Sequence, residues 1–108
     1  MRKSKINVEV ELDDQNIPEK ITWSAEDNQG GKEMEAKAIS LSFWDGEKSE
    51  ALNLDLWIKE MDVVEMKKFY VNLLGTASNT LLNATGDEFM STEIANMCEK
   101  FVEYLKKQ

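Results

Sequence analysis

The sequence predicts an α+β fold, in which a four-stranded antiparallel sheet made of two hairpins is followed by two helices. Up to residue 58 apolar residues alternate with polar ones, which is typical of strands with one buried face. After residue 62 they recur at three- and four-residue steps, which is typical of helices. Because an apolar sheet face needs a cover, we expect both helices to pack on one face of the sheet as a two-layer sandwich.

The composition is that of a folded globular protein. The chain has 108 residues, 42% of them apolar and 31% charged, with one proline and five glycines. A chain of this length buries enough surface for one modest core, so we expect a single domain over residues 1–108.

The charge and the cysteine count limit the kinds of partner that the protein could bind and the compartment in which we expect it. A net charge of −8 repels nucleic acid and anionic lipid headgroups, and no apolar run is long enough for membrane insertion. Carboxylates interrupt the stretch after Arg2, Lys3 and Lys5, unlike a signal peptide. A single cysteine, Cys98, gives no internal disulfide. We therefore expect a cytoplasmic protein.

The first hairpin is predicted over residues 6–23. Ile6, Val8, Val10 and Leu12 alternate with polar residues, and residues 13–16 have turn composition. Ile17, Ile21 and Trp23 then share one parity on a returning strand. A turn closing between Leu12 and Ile17 predicts the pairs Val10–Glu19, Val8–Ile21 and Ile6–Trp23.

The second hairpin follows a polar loop, predicted over residues 25–34, that contains Gly30 and Gly31. Its strands flank the turn at residues 45–48. The predicted register unites the aliphatic side chains on one face through the pairs Phe43–Leu52, Leu41–Leu54 and Ile39–Leu56. The same register leaves Trp44 and Trp57 on the other face.

Two helices complete the predicted fold. The first begins after Asp62 as N-cap, has Glu65 at the N3 position, and ends at Gly86. Gly75 in its interior suggests a close contact. The second starts from Asp87 or Ser91 and ends in Lys106-Lys107. Its apolar stripe consists of Met90, Ile94, Met97, Cys98, Phe101 and Leu105.

No catalytic, metal or cofactor site is predicted. The chain has no histidine, which removes the commonest general base and zinc ligand. Cys98 lies on an apolar helical stripe, where cysteine behaves as a small hydrophobic residue. The carboxylates Glu9, Glu11, Glu50 and Asp55 fall on the wet side of predicted strands. We therefore expect a protein that is not an enzyme and has no cofactor.

The predicted functional residues form a protein-binding face around Trp44 and Trp57, with Ser42, Asn53 and Asp55 as a polar rim. Tryptophan is enriched among interface hot spots, and exposed indoles are costly in water. Two structural alternatives compete with binding, since either the loop at residues 25–34 or the N-terminal arm could cover the indoles.

Three other functions stay open from the sequence. The chain could be a small-molecule carrier or sensor, with a pocket between sheet and helices. That pocket would be lined by Trp23, Phe43, Met66 and Phe69. It could also add an exposed peptide strand to a sheet edge. Finally, the apolar face of residues 63–84 could mediate a homodimer.

The chain also resembles the gliding-motility-associated GldC family of Bacteroidetes bacteria, from about Ile6 onward. The segments that carry the resemblance are Pro18-Glu19-Lys20-Ile21, Trp23-Ser24-Ala25, Glu35-Ala36-Lys37-Ala38, Leu41-Ser42-Phe43-Trp44-Asp45, Asp55-Leu56-Trp57 with Lys59 and Met61, Glu65-Met66-Lys67 and Ala84-Thr85-Gly86. The resemblance implies an accessory role in gliding motility, with protein partners in the gliding or linked secretion machinery. It brings no catalytic residues.

Overall fold

The structure is a computed structural model that describes residues 1–107, and it confirms the α+β class. The chain divides into two compact units, a strand unit over residues 1–62 and a helical unit from Val63 onward. The strands are β1 Ile6–Leu12, β2 Pro18–Ala25, β3 Met34–Ala36, β4 Ala38–Asp45 and β5 Glu50–Trp57; the helices are α1 Val63–Thr85 and α2 Glu88–Lys106. A single domain over residues 1–108, with the helices packed on the sheet, stays a prediction.

The single four-stranded sheet predicted from the sequence is wrong. The strands form a three-stranded sheet in the order β1-β2-β3 and a separate two-stranded sheet of β4 and β5. The extra strand, β3, lies at the end of the predicted 25–34 loop and pairs with β2 through Ile21–Ala36 and Trp23–Met34. With three residues, β3 is too short to show a period-2 pattern.

The first hairpin forms with a register two residues away from the predicted one. Val8 pairs with Trp23 and Val10 pairs with Ile21. The turn closes on Pro18 opposite Leu12, and the register shifts once more between Glu11 and Leu12. Asn16 adopts a left-handed conformation in this turn, with φ of 63°. The observed register differs from the predicted one by an even number of residues. The apolar residues that were predicted to share a face therefore still do so.

The second hairpin has the predicted register. Phe43 pairs with Leu52, Leu41 with Leu54 and Ile39 with Leu56. The turn between the strands is held by the Asp45 carboxylate, whose Oδ1 accepts the backbone N–H groups of Glu47 at 3.0 Å and Lys48 at 3.3 Å. This side-chain-to-backbone pairing explains why turn residues at these positions set the register correctly.

A junction ties the two sheets together inside the strand unit. The Ile58 N–H donates to the Lys37 carbonyl at 2.9 Å, and the Lys59 N–H donates to the Pro18 carbonyl at 3.0 Å. Ile21 and Ile58 are the buried hydrophobic residues of the described chain, with exposed fractions of 1% and 8%. The best-buried apolar contacts of the strand unit therefore lie next to this junction and away from the hairpin tips.

Lys59 adds an ion-pair cluster at the same place. Its Nζ lies 2.8 Å from Glu19 Oε1 and 3.1 Å from Asp13 Oδ2. The pKa of Lys59 is raised by the hydrogen bond to Glu19 and then by that to Asp13. The pKa of Asp13 is lowered, first by the Ile17 N–H and then by Lys59. The end of β5 is thus linked to the β1–β2 turn by charge as well as by backbone hydrogen bonds.

The helical unit is an antiparallel hairpin with well-defined ends. α1 begins directly after Asp62 and ends before Gly86, whose φ of 73° is the left-handed conformation that glycine favours. Of the two predicted starts of α2, the structure selects Asp87, whose side chain accepts the Met90 N–H at 2.9 Å. The sequence suggested a close contact at Gly75, but a Cβ built there would meet no atom within 4 Å.

A pair of buried serines lies between the helices. The Ser78 hydroxyl donates to the Ser91 carbonyl at 2.7 Å, and the Ser91 hydroxyl donates to the Ser78 carbonyl at 3.0 Å. The two Oγ atoms are 2.9 Å apart. Nearby, the half-buried Cys98 thiol lies 3.8 Å from the Val71 carbonyl. Small residues therefore let the helices approach closely at this crossing.

Candidate protein-interaction face

The two predicted tryptophans lie on the same side of the β4–β5 ribbon and are exposed. Trp44 pairs with Ala51 and Trp57 pairs with Ala38, so each indole has a small cross-strand neighbour. Their exposed fractions are 70% and 49%. At these exposed fractions neither indole is buried, by the loop at residues 25–34, by the N-terminal arm or otherwise. The binding role itself stays a prediction.

The register places the tryptophans at opposite ends of the ribbon. The Ala38–Trp57 pair and the Trp44–Ala51 pair are six residue steps apart along β4. At about 3.3 Å per residue, this separation is about 20 Å. We call this side of the ribbon the tryptophan face; it consists of Ala38, Ser40, Ser42, Trp44, Ala51, Asn53, Asp55 and Trp57.

Two polar cross-strand pairs fill the space between the indoles. The Ser40 hydroxyl donates to Asp55 Oδ1 at 2.7 Å, and the Ser42 hydroxyl donates to Asn53 Oδ1 at 2.6 Å. Ser42, Asn53 and Asp55 were predicted as a rim around the tryptophans. The register instead places them as a strip between the tryptophans.

Ser40 is a member of this face that the sequence analysis missed. Its hydroxyl holds the Asp55 carboxylate, and it sits opposite Asp55 in the ladder. The signal was present in the sequence, because Ser40 has the same parity as Ser42 and Trp44 on one strand. The polar strip is therefore four residues in two hydrogen-bonded pairs.

The ribbon is acidic. Between residues 38 and 57 it carries four carboxylates and one lysine, a net charge of −3. Asp55 is the carboxylate on the tryptophan face itself, and it is exposed. Ser40 occupies one of its oxygens, and no ion pair to Asp55 forms among residues 1–107. The face therefore combines two apolar ends with a negative centre.

Three other features concern metal-ligand groups, membrane-spanning helices and the predicted carrier pocket. In residues 1–107, no group of three or more His, Cys, Asp or Glu side chains could hold a metal ion. Across the same range, neither helix is long and apolar enough to cross a bilayer. The four residues predicted to line a carrier pocket belong to different units, Trp23 and Phe43 to the first and Met66 and Phe69 to the second. That pocket stays a prediction.

These features define a small α+β protein with a two-tryptophan ribbon on one unit and a helical hairpin on the other. Comparison with protein families then assigns it: the chain belongs to the gliding motility-associated protein GldC-like family, whose model matches residues 18–107. The predicted resemblance is confirmed, with the match beginning at Pro18 and thus after β1. Membership associates the chain with gliding motility. No curated protein and no solved structure matches the chain.

Proposed function

We propose that this protein is a non-enzymatic, cytoplasmic accessory protein of the gliding-motility machinery, and that it acts through protein–protein contacts on the tryptophan face. The observation that carries the proposal is the exposure of Trp44 and Trp57 on one face of one ribbon. Exposed tryptophans are strong candidates for interface anchors, because burying an indole on binding removes a large apolar surface from water.

Family membership points to gliding motility, and the residues support binding of a protein without catalysis. The machinery of gliding offers protein partners, and the polar strip supplies hydrogen-bonding groups between the two apolar anchors. The lack of histidine supports a role without catalysis. The unpaired Cys98 fits a reducing compartment, which supports the cytoplasm.

The experiment is copurification from the native cells after mild crosslinking. Tagged wild-type protein is compared with a Trp44→Ala/Trp57→Ala variant whose fold is checked by circular dichroism. The control is Phe89→Ala, since Phe89 is an exposed aromatic residue in the other unit, with an exposed fraction of 74%. Both variants remove exposed aromatic surface, so a nonspecific loss of apolar contacts would reduce recovery with Phe89→Ala as well.

The expected result is specific. Wild type and Phe89→Ala should recover the same components of the motility or secretion machinery, and the double tryptophan variant should lose most of them. If the partners survive loss of both tryptophans, the contact lies elsewhere on the protein. Equal loss with Phe89→Ala would also contradict the proposal.

A further inference from the structure

We propose that the tryptophan face binds an extended peptide segment with two apolar side chains six residues apart and a lysine or arginine between them. This inference rests on the proposed function, because it names the chemistry of the partner at the same face. It follows from three features of the face: the spacing of the indoles, the position of Asp55 and the charge of the ribbon.

The spacing of the indoles sets the length of the partner segment. Trp44 and Trp57 are separated by six residue positions along the ribbon, about 20 Å. A peptide in extended conformation rises by about the same distance per residue, so its side chains i and i+6 have this separation and point to the same side. A helical segment would cover only about 9 Å in six residues. An extended segment therefore suits both anchors at once.

The position of Asp55 sets the charge in the middle of the segment. Asp55 lies two positions from Trp57 and four from Trp44 along the ribbon. One carboxylate oxygen accepts the Ser40 hydroxyl, which fixes the group on the face and leaves the second oxygen for a donor from the partner. Two positions further, the Ser42–Asn53 pair suits an uncharged polar side chain. The pattern that fits is apolar, cation, polar and apolar at alternate residues.

The charge of the ribbon favours a basic partner over a second copy. The ribbon carries a net charge of −3, and the whole chain carries −8. Two copies meeting at this face would bring like charges together, whereas a cationic segment is attracted before contact and paired after it. The complementary occupant is thus a basic and apolar peptide.

The test uses the full chain with Trp23→Phe, so that emission comes from Trp44 and Trp57 alone. The probe is a nine-residue threonine-rich peptide with leucine at positions 2 and 8, lysine at 4 and serine at 6. One control peptide has its leucines four residues apart, and another has glutamate in place of lysine. Binding is measured by the shift of tryptophan emission and by anisotropy of a labelled peptide.

The expected results are differences in Kd. Replacing either Trp44 or Trp57 with alanine should weaken binding of the probe peptide about tenfold or more. The control peptide with leucines four residues apart should bind more weakly than the probe by a similar factor. Replacing lysine by glutamate should weaken binding about three- to tenfold at low salt. The ratio of the Kd values for the glutamate and lysine peptides should fall to about one at 1 M salt. At low salt the ratio should also fall in the Asp55→Asn variant, which keeps an acceptor for Ser40 but has no charge at this position.

The results that overturn the inference are distinct from those that overturn the proposed function. Equal affinity for both leucine spacings, or for lysine and glutamate, overturns it. So does the lack of binding by any peptide while the tryptophans are still required for copurification; the proposed function then stands, with a folded surface as partner. If copurification is also independent of the tryptophans, both proposals are wrong.

Discussion

The contact between the two helices can be tested by replacing Ser78 with leucine. Ser78 is 5% exposed, and its hydroxyl donates to the Ser91 carbonyl at 2.7 Å. Its Oγ lies 2.9 Å from the Ser91 Oγ, so the residue facing it is in direct contact. Ser78→Leu removes the hydrogen bond and enlarges the side chain by two non-hydrogen atoms at a crossing that has no room for them.

The expected cost follows from these two effects. Loss of a buried hydrogen bond costs about 1 kcal/mol, and overpacking a close contact costs about 1–3 kcal/mol. We therefore expect Ser78→Leu to lower the free energy of unfolding by about 2–4 kcal/mol. Ser78→Ala removes the hydrogen bond without adding volume, and its gain in helix propensity offsets part of the loss. We expect it to cost about 0.5 kcal/mol.

The assay is urea unfolding followed by the helical circular dichroism signal at 222 nm. The matched control is Asn79→Leu, which places the same side chain on the neighbouring, exposed position of α1 and should change stability by less than about 0.5 kcal/mol. If Ser78→Leu is as stable as Asn79→Leu, the close serine-to-serine approach of the helices is wrong.

Three further predictions concern single positions. Gly75→Ala should stabilise α1 by about 1 kcal/mol, because a Cβ there has open space; a lower melting temperature would mean that Gly75 packs against a neighbour. Gly86→Ala should destabilise by about 1 kcal/mol because of its φ of 73°, and a neutral result in the same melts would contradict the glycine-ended helix. Stability should depend on pH through Asp13 and Lys59. The lowered pKa of Asp13 gives stability that is lost as the pH falls below about 4, and the raised pKa of Lys59 gives stability that is lost as the pH rises above about 10. Urea midpoints across pH should therefore be flatter in Lys59→Met than in wild type, whereas a Lys48→Met control should keep the wild-type profile.

The tryptophan face shows which features of a site can be predicted from the alternation of side chains along strands. Alternation along β4 and β5 placed Trp44 and Trp57 together on one side, and the short turn between the strands made their register predictable. The same alternation also places Ser40 on this side, although the sequence analysis missed it. Pairing the strands then showed that the polar residues lie between the indoles, because the two tryptophans are on different strands and at opposite ends.

The first hairpin and the helix crossing show where such patterns fail. The register of β1 and β2 depends on a shift between Glu11 and Leu12, which leaves the parity of the apolar residues unchanged. β3 is three residues long and is stabilised by pairing with β2. The contact of Ser78 with Ser91 joins residues 13 positions apart on two helices. In each case the decisive interaction is with another segment.

By itself, the sequence determined the α+β class, both ends of α1 and the C-terminal end of α2. It also determined the register of the β4–β5 hairpin and the side of the ribbon that carries the tryptophans. These are consequences of backbone period and of turn and capping residues, which act over a few neighbouring positions. The tertiary structure alone decided that the strands divide into two sheets and that Lys59 reaches Asp13 and Glu19. It also decided that two serines bring the helices together. These depend on which distant segments bury and hydrogen-bond each other, and the same local pattern is compatible with more than one such pairing.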